Sequence, residues 1–463
     1  MSTDSQLSAV FKAYDIRGLS PEQIDAAFAR RLGKAIVVQF KPKKVLVGRD
    51  MRLTSSVLES ALIDGLTSSG VDVVRIGLCS TPMFNILIGL ADNGFDLGVM
   101  VTASHNPGKY NGFKIDRGNC EPVGEGSGME ELRDTFLASK EVVSSHIGTV
   151  VDDPTALDRY LDHVLKLAAL PDDMPHFKVA IDAGNGMAGA VLPRLLSRLP
   201  WLETVPLFFE PDGTFPNHEA NPLKRETLTH LIQVVKDDKC DLGVAFDGDA
   251  DRVGFVDELG VPLPGDLSTA FLAQELLPAS PGGLVLYDVR SSLTVPEAVA
   301  EAGGRAEMCK VGHANIKKLM HQDGAIFGGE VSMHYYFHDL WNCESGDLAM
   351  LLILRNLAKK SQPFSALWQP LQRYFHSEEI NFEVKDKPSV IERLKATYAP
   401  KASLVSELDG IRLEFRNPAD PKGDWWFNVR ASNTEPLLRL NVEAATPESL
   451  AAHLEELSAA IKA

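Results

Sequence analysis

Short apolar runs alternate along most of the chain with longer segments in which apolar residues recur at helical spacing. The clearest short runs cover residues 44–48, 97–101, 178–182, 242–246 and 284–288, and helical segments lie between them, for example 55–69 and 227–236. This alternation predicts an α/β architecture with largely parallel strands. Because such sheets bind ligands at the carboxyl ends of their strands, the polar residues that follow each run are the first candidates for function.

Two of these runs begin alike and then enter different polar loops. Residues 96–106 read DLGVMVTASHN, and residues 241–251 read DLGVAFDGDAD. A third segment, 324–332, reads GAIFGGEVS, and residues 284–291 are its expected partner strand upstream. We therefore expect three repeated α/β domains with mixed, largely parallel sheets, each offering a functional loop at a strand end.

The last part of the chain follows a different pattern. Strand patterns at 425–430 and 437–442 precede a helical pattern at 447–461. This mixture predicts a smaller α+β domain at the carboxyl end. The expected domains are 1–151, 152–257, 258–371 and 372–463.

Length and composition agree with several domains and limit the classes of partner that the protein is expected to bind. A chain of 463 residues is too long for one hydrophobic core, and about 150 residues per domain suggests three or four domains. The net charge of −17 argues against non-specific binding to nucleic acid. It leaves an anionic substrate open, because a local cluster of Arg, Lys and metal can override the overall charge.

The sequence has no recognisable secretion signal or membrane span, and its cysteines show no disulfide or zinc-site pattern. The first residues do not form a basic segment followed by an apolar stretch, and no run of about 18 apolar residues occurs. The five cysteines are widely spaced, without a CxxC pair. We therefore expect a cytoplasmic protein with reduced thiols that is neither secreted nor bound to a membrane.

The loop after the run 242–246 is the most informative stretch of the chain. Asp247, Asp249 and Asp251 alternate there, and Arg252 follows directly. Three carboxylates this close repel one another unless a cation neutralises them, which favours a hard divalent ion, Mg²⁺. A calcium EF-hand loop that ends at Glu258 is an alternative, although Arg252 stands where its turn needs glycine and both flanks have strand patterns. A solvated acidic turn without a metal is a further alternative.

The loop 102–107, TASHNP, offers a nucleophile. Ser104 follows an apolar strand, and His105 and Asn106 are neighbours that can donate hydrogen bonds. The nucleophile elbow of hydrolases is missing, so acyl transfer is disfavoured. Taken alone, a serine in such a loop is more often an ordinary turn or capping residue than a nucleophile.

Other polar loops also follow strand patterns. Glu330 and Ser332 could bind neighbouring hydroxyls, and the donor-rich segment 430–434 suits a phosphate. Glu330 also fits a loop carboxylate without a ligand, and residues 430–434 also fit an ordinary polar turn. Further candidates are His313, His334 and the cations Arg17, Lys114 and Arg290, all near strand ends. The ordinary interpretations of these are a helix cap at His313, a packed ring at His334 and surface charges at the three cations.

Five segments, taken together and in this order, resemble the α-D-phosphohexomutases across essentially the whole chain. They are residues 11–18, 102–107, 247–252, 329–332 and 430–436, which are similar to that family's opening, phosphoserine, metal, sugar and phosphate loops. The resemblance implies a four-domain, heart-shaped protein with its site in a central cleft.

The resemblance also implies roles for individual residues. Ser104 would carry a phosphoryl group, and Asp247, Asp249 and Asp251 would hold one Mg²⁺ together with an oxygen of that phosphoserine. The implied substrate contacts are Tyr14, Arg290, Glu330, Ser332 and His334 at the sugar, and Arg430, Ser432, Asn433 and Thr434 at the phosphate. The implied catalytic residues are His313 and Lys114 for proton transfer, His105 for support of the serine loop, and Arg252 and Arg17 for positive potential.

The expected reaction interconverts mannose 6-phosphate and mannose 1-phosphate through a hexose 1,6-bisphosphate. Residues 290–292, 335–337 and 427–436 look most like the members of the family that serve GDP-mannose synthesis. Glucose phosphates are the alternative substrates, because the sugar loop contacts hydroxyls that both hexoses share. From other classes, a metal-dependent phosphatase and a non-catalytic sugar-phosphate binding protein remain alternatives. We expect small hexose phosphates as the partners, and a monomer or weak dimer.

Overall fold

The computed structural model describes residues 7–90, 94–140, 144–431 and 437–463. Within these residues the strands form four separate sheets that follow one another along the chain. Among the described residues, no helix combines the length and the apolar character that a membrane span requires.

The first sheet has six strands in the order β1-β5-β4-β2-β3-β6. β2, β3, β4 and β6 are parallel to one another, and β5 pairs antiparallel with β4 and with β1. The strands are β1 (Ile16–Leu19), β2 (Lys44–Arg49), β3 (Asp72–Leu78), β4 (Leu97–Val101), β5 (Tyr110–Arg117) and β6 (Val150–Asp152). The helices are α1 (Ala26–Phe40), α2 (Ser55–Thr67), α3 (Thr81–Gly89) and α4 (Met129–Leu137).

The second sheet has the order β11-β10-β9-β7-β8, and the third has the order β13-β12-β14-β15-β16. The strands of the second sheet are β7 (Phe177–Asp182), β8 (Leu202–Leu207), β9 (Leu242–Phe246), β10 (Val253–Asp257) and β11 (Pro262–Leu263). Those of the third are β12 (Leu284–Asp288), β13 (Arg305–Cys309), β14 (Phe327–Gly329), β15 (Tyr335–Phe337) and β16 (Cys343–Glu344). The helices of this part are α5 (Ala156–Ala168), α6 (Ala188–Leu196), α7 (Thr229–Asp237), α8 (Gly265–Leu276), α9 (Thr294–Glu301), α10 (His313–Asp323), α11 (Gly346–Lys360) and α12 (Phe364–Trp368).

The three sheets repeat one central unit, which confirms the predicted repeat. In each sheet, three parallel strands are followed by an antiparallel strand that forms a hairpin with the last of them. The equivalent strands are β4, β9 and β14, whose residues are all buried. Their carboxyl ends lead into the loops that contain Ser104, Asp247 and Glu330. The topology therefore gives each repeat a polar loop at the same place.

The fourth sheet is antiparallel, and two helices pack with it. This is the mixed α+β domain that the last part of the sequence predicts. The order of the sheet is β17-β22-β21-β20-β19, and β18 also pairs with β22. The strands are β17 (Phe375–His376), β18 (Ile380–Glu383), β19 (Leu404–Ser406), β20 (Ile411–Phe415), β21 (Trp425–Ala431) and β22 (Leu437–Ala444). The helices α13 (Lys387–Tyr398) and α14 (Pro447–Lys462) complete this domain.

One expected domain boundary differs from the sheet pattern. β11 pairs antiparallel with β10, with Phe255 opposite Leu263, so it belongs to the second sheet. The boundary expected at 257 separates these two strands. A strand of two residues that begins with Pro262 has no periodicity to reveal it, so only its pairing identifies it.

The cores show how firmly the domains are joined. One hydrophobic cluster runs through the first three domains and includes Phe84 of α3, Leu161 of α5 and Leu351 of α11. The fourth domain has a cluster of its own. Arg412 of β20 connects it to the third domain by donating to the carbonyls of Val289 and Ser291. The loops of the first three domains are therefore held in a fixed relation by shared packing.

Candidate active site

Ser104 lies at the end of β4 and points toward the next domain. Its Oγ donates to Asp247 Oδ2 at 3.0 Å and lies 3.2 Å from His105 Nδ1. Its backbone N–H donates to Thr102 Oγ1 at 3.0 Å. The side chain is buried, and the residue has a φ of 50°, which residues other than glycine rarely adopt. The fold thus brings the predicted nucleophile directly to the predicted metal loop.

The three aspartates form one buried cluster in the turn between β9 and β10. Asp247 and Asp249 are fully buried, Asp251 is nearly so, and one oxygen from each lies within 4.8 Å of the others. β9 and β10 are an antiparallel hairpin, as the strand patterns predict. An EF-hand would need helices on both sides, so that alternative is wrong. Glu258, which the EF-hand would use, instead accepts hydrogen bonds from Ser365.

The three carboxylates are buried together, and each adds to the negative charge around the others. Burial raises the pKa of Asp247 well above its usual value, and the carboxylates of Asp251 and Asp249 raise it further. Asp249 Oδ1 is buried and has no hydrogen-bond partner among the described residues. A buried, unpartnered carboxylate oxygen beside two other carboxylates is a donor set that suits a hard divalent cation. The residues present therefore fit such an ion.

Lys114 of β5 supplies a fixed positive charge to this cluster. Its Nζ donates to Asp249 Oδ2 at 2.9 Å and to Asp251 Oδ2 at 2.5 Å. Burial by itself lowers the pKa of Lys114, but these two carboxylates hold it above its usual value. Lys114 is therefore an ammonium group, suited to stabilising negative charge rather than to accepting a proton.

His334 connects the metal loop with the sugar loop. Its Nε2 lies 3.3 Å from Asp251 Oδ1, and its Nδ1 lies 3.3 Å from Glu330 Oε2. Arg252 Nε is also 3.3 Å from the Nε2 atom, and since two carboxylates outweigh one guanidinium, we assign the imidazole as protonated. Burial alone lowers the pKa of His334, whereas these carboxylates raise it to about 9.

Glu330 is a buried carboxylate that is held by hydrogen bonds, and it does not lie on an open turn. It accepts hydrogen bonds from the backbone N–H of Gly312 at 2.8 Å and from the Tyr336 hydroxyl at 2.7 Å. Burial alone raises the pKa of Glu330, but His334 and Arg290 hold it well below its usual value. Ser332 Oγ lies 2.9 Å from His334 Nδ1, which places Ser332 at the same end of the loop.

Tyr14 and His313 meet where the first and third domains touch. Their rings lie 5.4 Å apart, edge to face, and the Tyr14 hydroxyl donates to the carbonyl of Val311 at 3.2 Å. Burial, followed by the nearby charges of Lys317 and others, lowers the pKa of His313 to about 4, so the ring is neutral near pH 7. Its Nδ1 is buried and makes no hydrogen bond within the described part of the chain.

The remaining predicted cations, Arg17, Arg290 and Arg430, lie at three places in the structure. Arg17 of β1 donates to Asn106 Oδ1 at 2.9 Å and therefore contacts the serine loop. Arg290 is held by Asp288 through two hydrogen bonds, of 3.1 and 2.7 Å. Arg430, in the fourth domain, pairs with Glu379 at 2.9 Å. Ser432, Asn433 and Thr434 lie outside the described residues.

Two residues at the site were not among the predicted ones. Thr81, the first residue of α3, donates from its hydroxyl to Asp249 Oδ2 at 2.7 Å, and its N–H donates to the Asp249 carbonyl. A Ser-Thr-Pro helix start at the end of β3 is the signal that could have indicated it. Arg52 lies behind the serine loop, where its guanidinium contacts backbone carbonyls.

Family profiles match successive parts of the chain. The phosphoglucomutase/phosphomannomutase alpha/beta/alpha domains I, II and III match residues 8–141, 158–260 and 264–374. The phosphoglucomutase/phosphomannomutase C-terminal domain matches residues 379–460. Together these matches account for most of the chain and for all four sheets.

Individual relatives cover nearly the full length. The chain is 40% identical over 440 residues to a Xanthomonas campestris pv. campestris protein described as phosphohexose mutases, with 94% of each chain covered. It is 39% identical over 453 residues to a phosphomannomutase of Methanocaldococcus jannaschii, covering 97% of this chain and 96% of the relative. The crystal structure of a phosphoglucomutase/phosphomannomutase family protein from Burkholderia thailandensis has a TM-score of 0.89 at 32% identity, covering 100% of this chain and 98% of that one.

Proposed function

Because this chain belongs to the phosphoglucomutase/phosphomannomutase family, we propose that it interconverts mannose 6-phosphate and mannose 1-phosphate. The family and the relatives fix the enzyme class, an intramolecular phosphotransferase acting on hexose phosphates. The observation that carries the proposal is the 3.0 Å contact between the Ser104 hydroxyl and Asp247, which joins a nucleophile to a buried acidic cluster.

The proposed route uses Ser104 as the carrier of one phosphoryl group. An oxygen of the hexose monophosphate attacks the phosphorus, the bond to Ser104 Oγ breaks, and a hexose 1,6-bisphosphate forms. The bisphosphate then turns around in the site and returns its other phosphoryl group to Ser104. The net result moves a phosphate between C1 and C6 and regenerates the phosphoserine.

Asp247, Asp249 and Asp251 would hold a Mg²⁺ ion, together with an oxygen of the phosphoserine. Bound there, the ion would withdraw negative charge from the transferring phosphoryl group. The buried unpartnered oxygen of Asp249 and the raised pKa of Asp247 support this assignment.

The protein's own side chains would divide the remaining work by charge. Lys114 and Arg252 add positive potential near the acceptor, where negative charge develops. His313 is our candidate for accepting the proton of the sugar hydroxyl, since its ring is neutral and its Nδ1 is free among the described residues. His105, at 3.2 Å from Ser104 Oγ, would support the serine loop.

Substrate recognition has to work for two orientations of the sugar. Glu330 and Ser332 would contact ring hydroxyls that keep their places in both, and Arg430 with residues 432–434 would bind the phosphate that is not reacting. The Glu330 carboxylate already accepts two hydrogen bonds from Gly312 and Tyr336, which fixes its orientation for this purpose. The preference for mannose over glucose rests on the relatives named phosphomannomutase.

The test is an assay of purified protein with Mg²⁺, mannose 1-phosphate and a trace of hexose 1,6-bisphosphate. We expect mannose 6-phosphate to form, and Ser104→Ala to lower kcat by about 10³-fold or more. Ser69→Ala is the matched control, because Ser69 is a buried serine of the same domain whose hydroxyl donates to the Gly65 carbonyl. Full activity in Ser104→Ala would refute the role of that serine.

The same assay with glucose 1-phosphate decides the substrate. We expect a higher kcat/KM for mannose 1-phosphate than for glucose 1-phosphate. The reverse order would replace the mannose assignment and leave the phosphotransferase mechanism intact. Release of inorganic phosphate in place of the 6-phosphate would indicate a phosphatase instead.

A further inference from the structure

Arg52 lies behind the serine loop and uses all five of its guanidinium donors, four of them on backbone carbonyls of residues 104–110. Nη1 donates to the carbonyls of Pro107 and Tyr110 at 2.9 and 3.0 Å. Nη2 donates to the carbonyls of Ser104 and Asn106 at 2.7 and 2.5 Å. Nε donates to Asp50 Oδ2 at 3.1 Å, and the side chain is fully buried. A guanidinium has five N–H donors, so none is left for a phosphate.

The loop that Arg52 holds has a conformation that needs support. Ser104 has a φ of 50°, in the left-handed region that favours glycine. Such a residue keeps this conformation where its surroundings over-determine it. Two of the four carbonyls bound by Arg52, those of Ser104 and Asn106, lie within two residues of this strained position, so the guanidinium acts where the support is needed.

Asp50 and the second domain hold Arg52 itself. Asp50 Oδ1 accepts hydrogen bonds from the Arg52 N–H and from the Ser55 hydroxyl. The ring of Phe215 faces the guanidinium at 5.2 Å. A Cβ on Gly213 would come within 2.6 Å of Arg52 Cα, so the second domain packs tightly against this segment. Arg52 is therefore held by residues of both domains.

The metal loop touches the same part of the serine loop. A Cβ on Gly248 would lie 2.5 Å from the Ser104 carbonyl oxygen, which is the atom that Arg52 Nη2 binds. A shift of this carbonyl would therefore move Ser104 relative to Asp247. The geometry of phosphoryl transfer is sensitive to such shifts, because reacting groups held about 1 Å out of place lose about 100-fold in rate.

We propose that Arg52 is a positioning residue that fixes Ser104 Oγ against Asp247 for phosphoryl transfer, with Phe215 of the second domain completing its support. This inference rests on the proposed function of Ser104 as the phosphoryl carrier. Arg52 acts through the backbone of the loop, since its donors are all used on protein acceptors.

The test is Arg52→Lys, which keeps the positive charge but has three donors in place of five. We expect kcat to fall about 10- to 100-fold with KM nearly unchanged, since positioning and not binding is lost. The phosphoserine should also be lost to water faster when no substrate is present. A folded Arg52→Lys protein whose kcat stays within about twofold of wild type would overturn the proposal.

Arg31→Lys is the matched control. Arg31 belongs to the same domain, donates to the carbonyls of Phe136 and Leu137 at 2.7 and 2.9 Å, and lies over the Phe136 ring at 4.3 Å. It is a carbonyl-binding arginine on an aromatic ring, and these partners belong to α4 and not to the serine loop. We expect this substitution to leave kcat and the phosphoserine lifetime unchanged. An equal loss in Arg31→Lys would show that the effect is general destabilisation.

Phe215→Leu keeps the inference testable if Arg52→Lys does not fold. It removes the ring beside the guanidinium and leaves all five hydrogen bonds, so we expect kcat to fall about threefold to tenfold with KM unchanged. Unchanged kcat and phosphoserine lifetime in Phe215→Leu would contradict the support assigned to that ring.

Mass spectrometry of the Ser104 peptide separates this inference from the proposed function. Wild-type protein treated with hexose 1,6-bisphosphate should contain phosphoserine at position 104. Its absence would refute the proposed function itself. Its presence, combined with unaltered variants, would refute only the role of Arg52.

Discussion

Two buried charge clusters of similar composition lie in the first three domains, and they deal with excess negative charge in different ways. The aspartate cluster consists of Asp247, Asp249 and Asp251 with Lys114. The interdomain cluster consists of Asp116 of β5, Lys317 of α10 and Glu344 of β16, with Lys317 Nζ 2.8 Å from Glu344 Oε2. Each contains more carboxylates than lysines, and each is removed from water.

The interdomain cluster contains a carboxyl group whose pKa lies near neutral pH. Burial raises the pKa of Asp116 to about 6, while the charge of Lys317 lowers it and that of Glu344 raises it in smaller measure. Lys317 also pairs with Glu344. The aspartate cluster has three carboxylates in one loop and a buried oxygen of Asp249 with no partner among the described residues. In the aspartate cluster, the chain itself holds three carboxylates close together, and one lysine cannot neutralise all three. Such a cluster suits a divalent cation.

Asp249→Asn should give the largest effect, and it tests whether the aspartate cluster binds a catalytic cation. We expect kcat to fall about 10³-fold, equal to about 4 kcal/mol of transition-state stabilisation, because one cation ligand is lost. The thermal stability of metal-free protein should not fall, since a buried negative charge has been removed. Steady-state kinetics with a Mg²⁺ titration and thermal unfolding in chelator measure both. Normal Mg²⁺-dependent turnover would show that Asp249 is not a ligand.

Lys114→Met and Lys317→Met form a matched pair of substitutions, one in each cluster. Each leaves buried carboxylates unpaired, so we expect each to lower the free energy of unfolding by about 3 to 4 kcal/mol in chelator. Mg²⁺ should restore part of the stability of Lys114→Met alone, because an ion bound to the native state stabilises it by mass action. Urea unfolding with and without Mg²⁺ measures this. Equal rescue of both variants would erase the distinction between the clusters.

Asp116→Asn should give the smallest effect and tests the proton in the interdomain cluster. The folded pKa of Asp116, about 6, lies above its ordinary value of 3.8, so its contribution to stability is present at low pH and is lost as the pH rises toward 6 and beyond. Relative to Asp116→Asn, wild-type protein should lose about 1 kcal/mol of stability between about pH 5 and pH 7.

Urea unfolding at several pH values measures the stability difference between wild type and Asp116→Asn. A pH-independent difference between the two proteins would mean that Asp116 titrates normally. We expect kcat to stay within about threefold of wild type, since Asp116 lies outside the aspartate cluster.

The fold was largely predictable from local pattern. The strands predicted at 97–101, 242–246 and 284–288 coincide with β4, β9 and β12, and the repeat linking Ser104, Asp247 and Glu330 is present. Apolar runs of this length that end in polar loops have few alternatives in a repeated α/β chain. The family resemblance that five loops indicated is confirmed by the domain matches.

The supporting residues of the site were not predictable. Thr81 lies 168 positions from Asp249 along the chain, and Lys317 lies 27 positions from Glu344 on a different element. Arg52 stands in a stretch, GRDMRLT, that has no unusual spacing or composition. Such partners are chosen by proximity in space, and no local pattern records that proximity.

The sequence by itself determined which loops carry chemistry and which carboxylates must lie together. Asp247, Asp249 and Asp251 alternate in one turn after a buried strand, so chain connectivity alone keeps them close. Only the tertiary structure decided which cation meets which carboxylate, that Ser104 contacts Asp247, and that burial raises the pKa of Asp116. The reason is physical, because burial and charge interactions depend on distances between segments that the fold brings together.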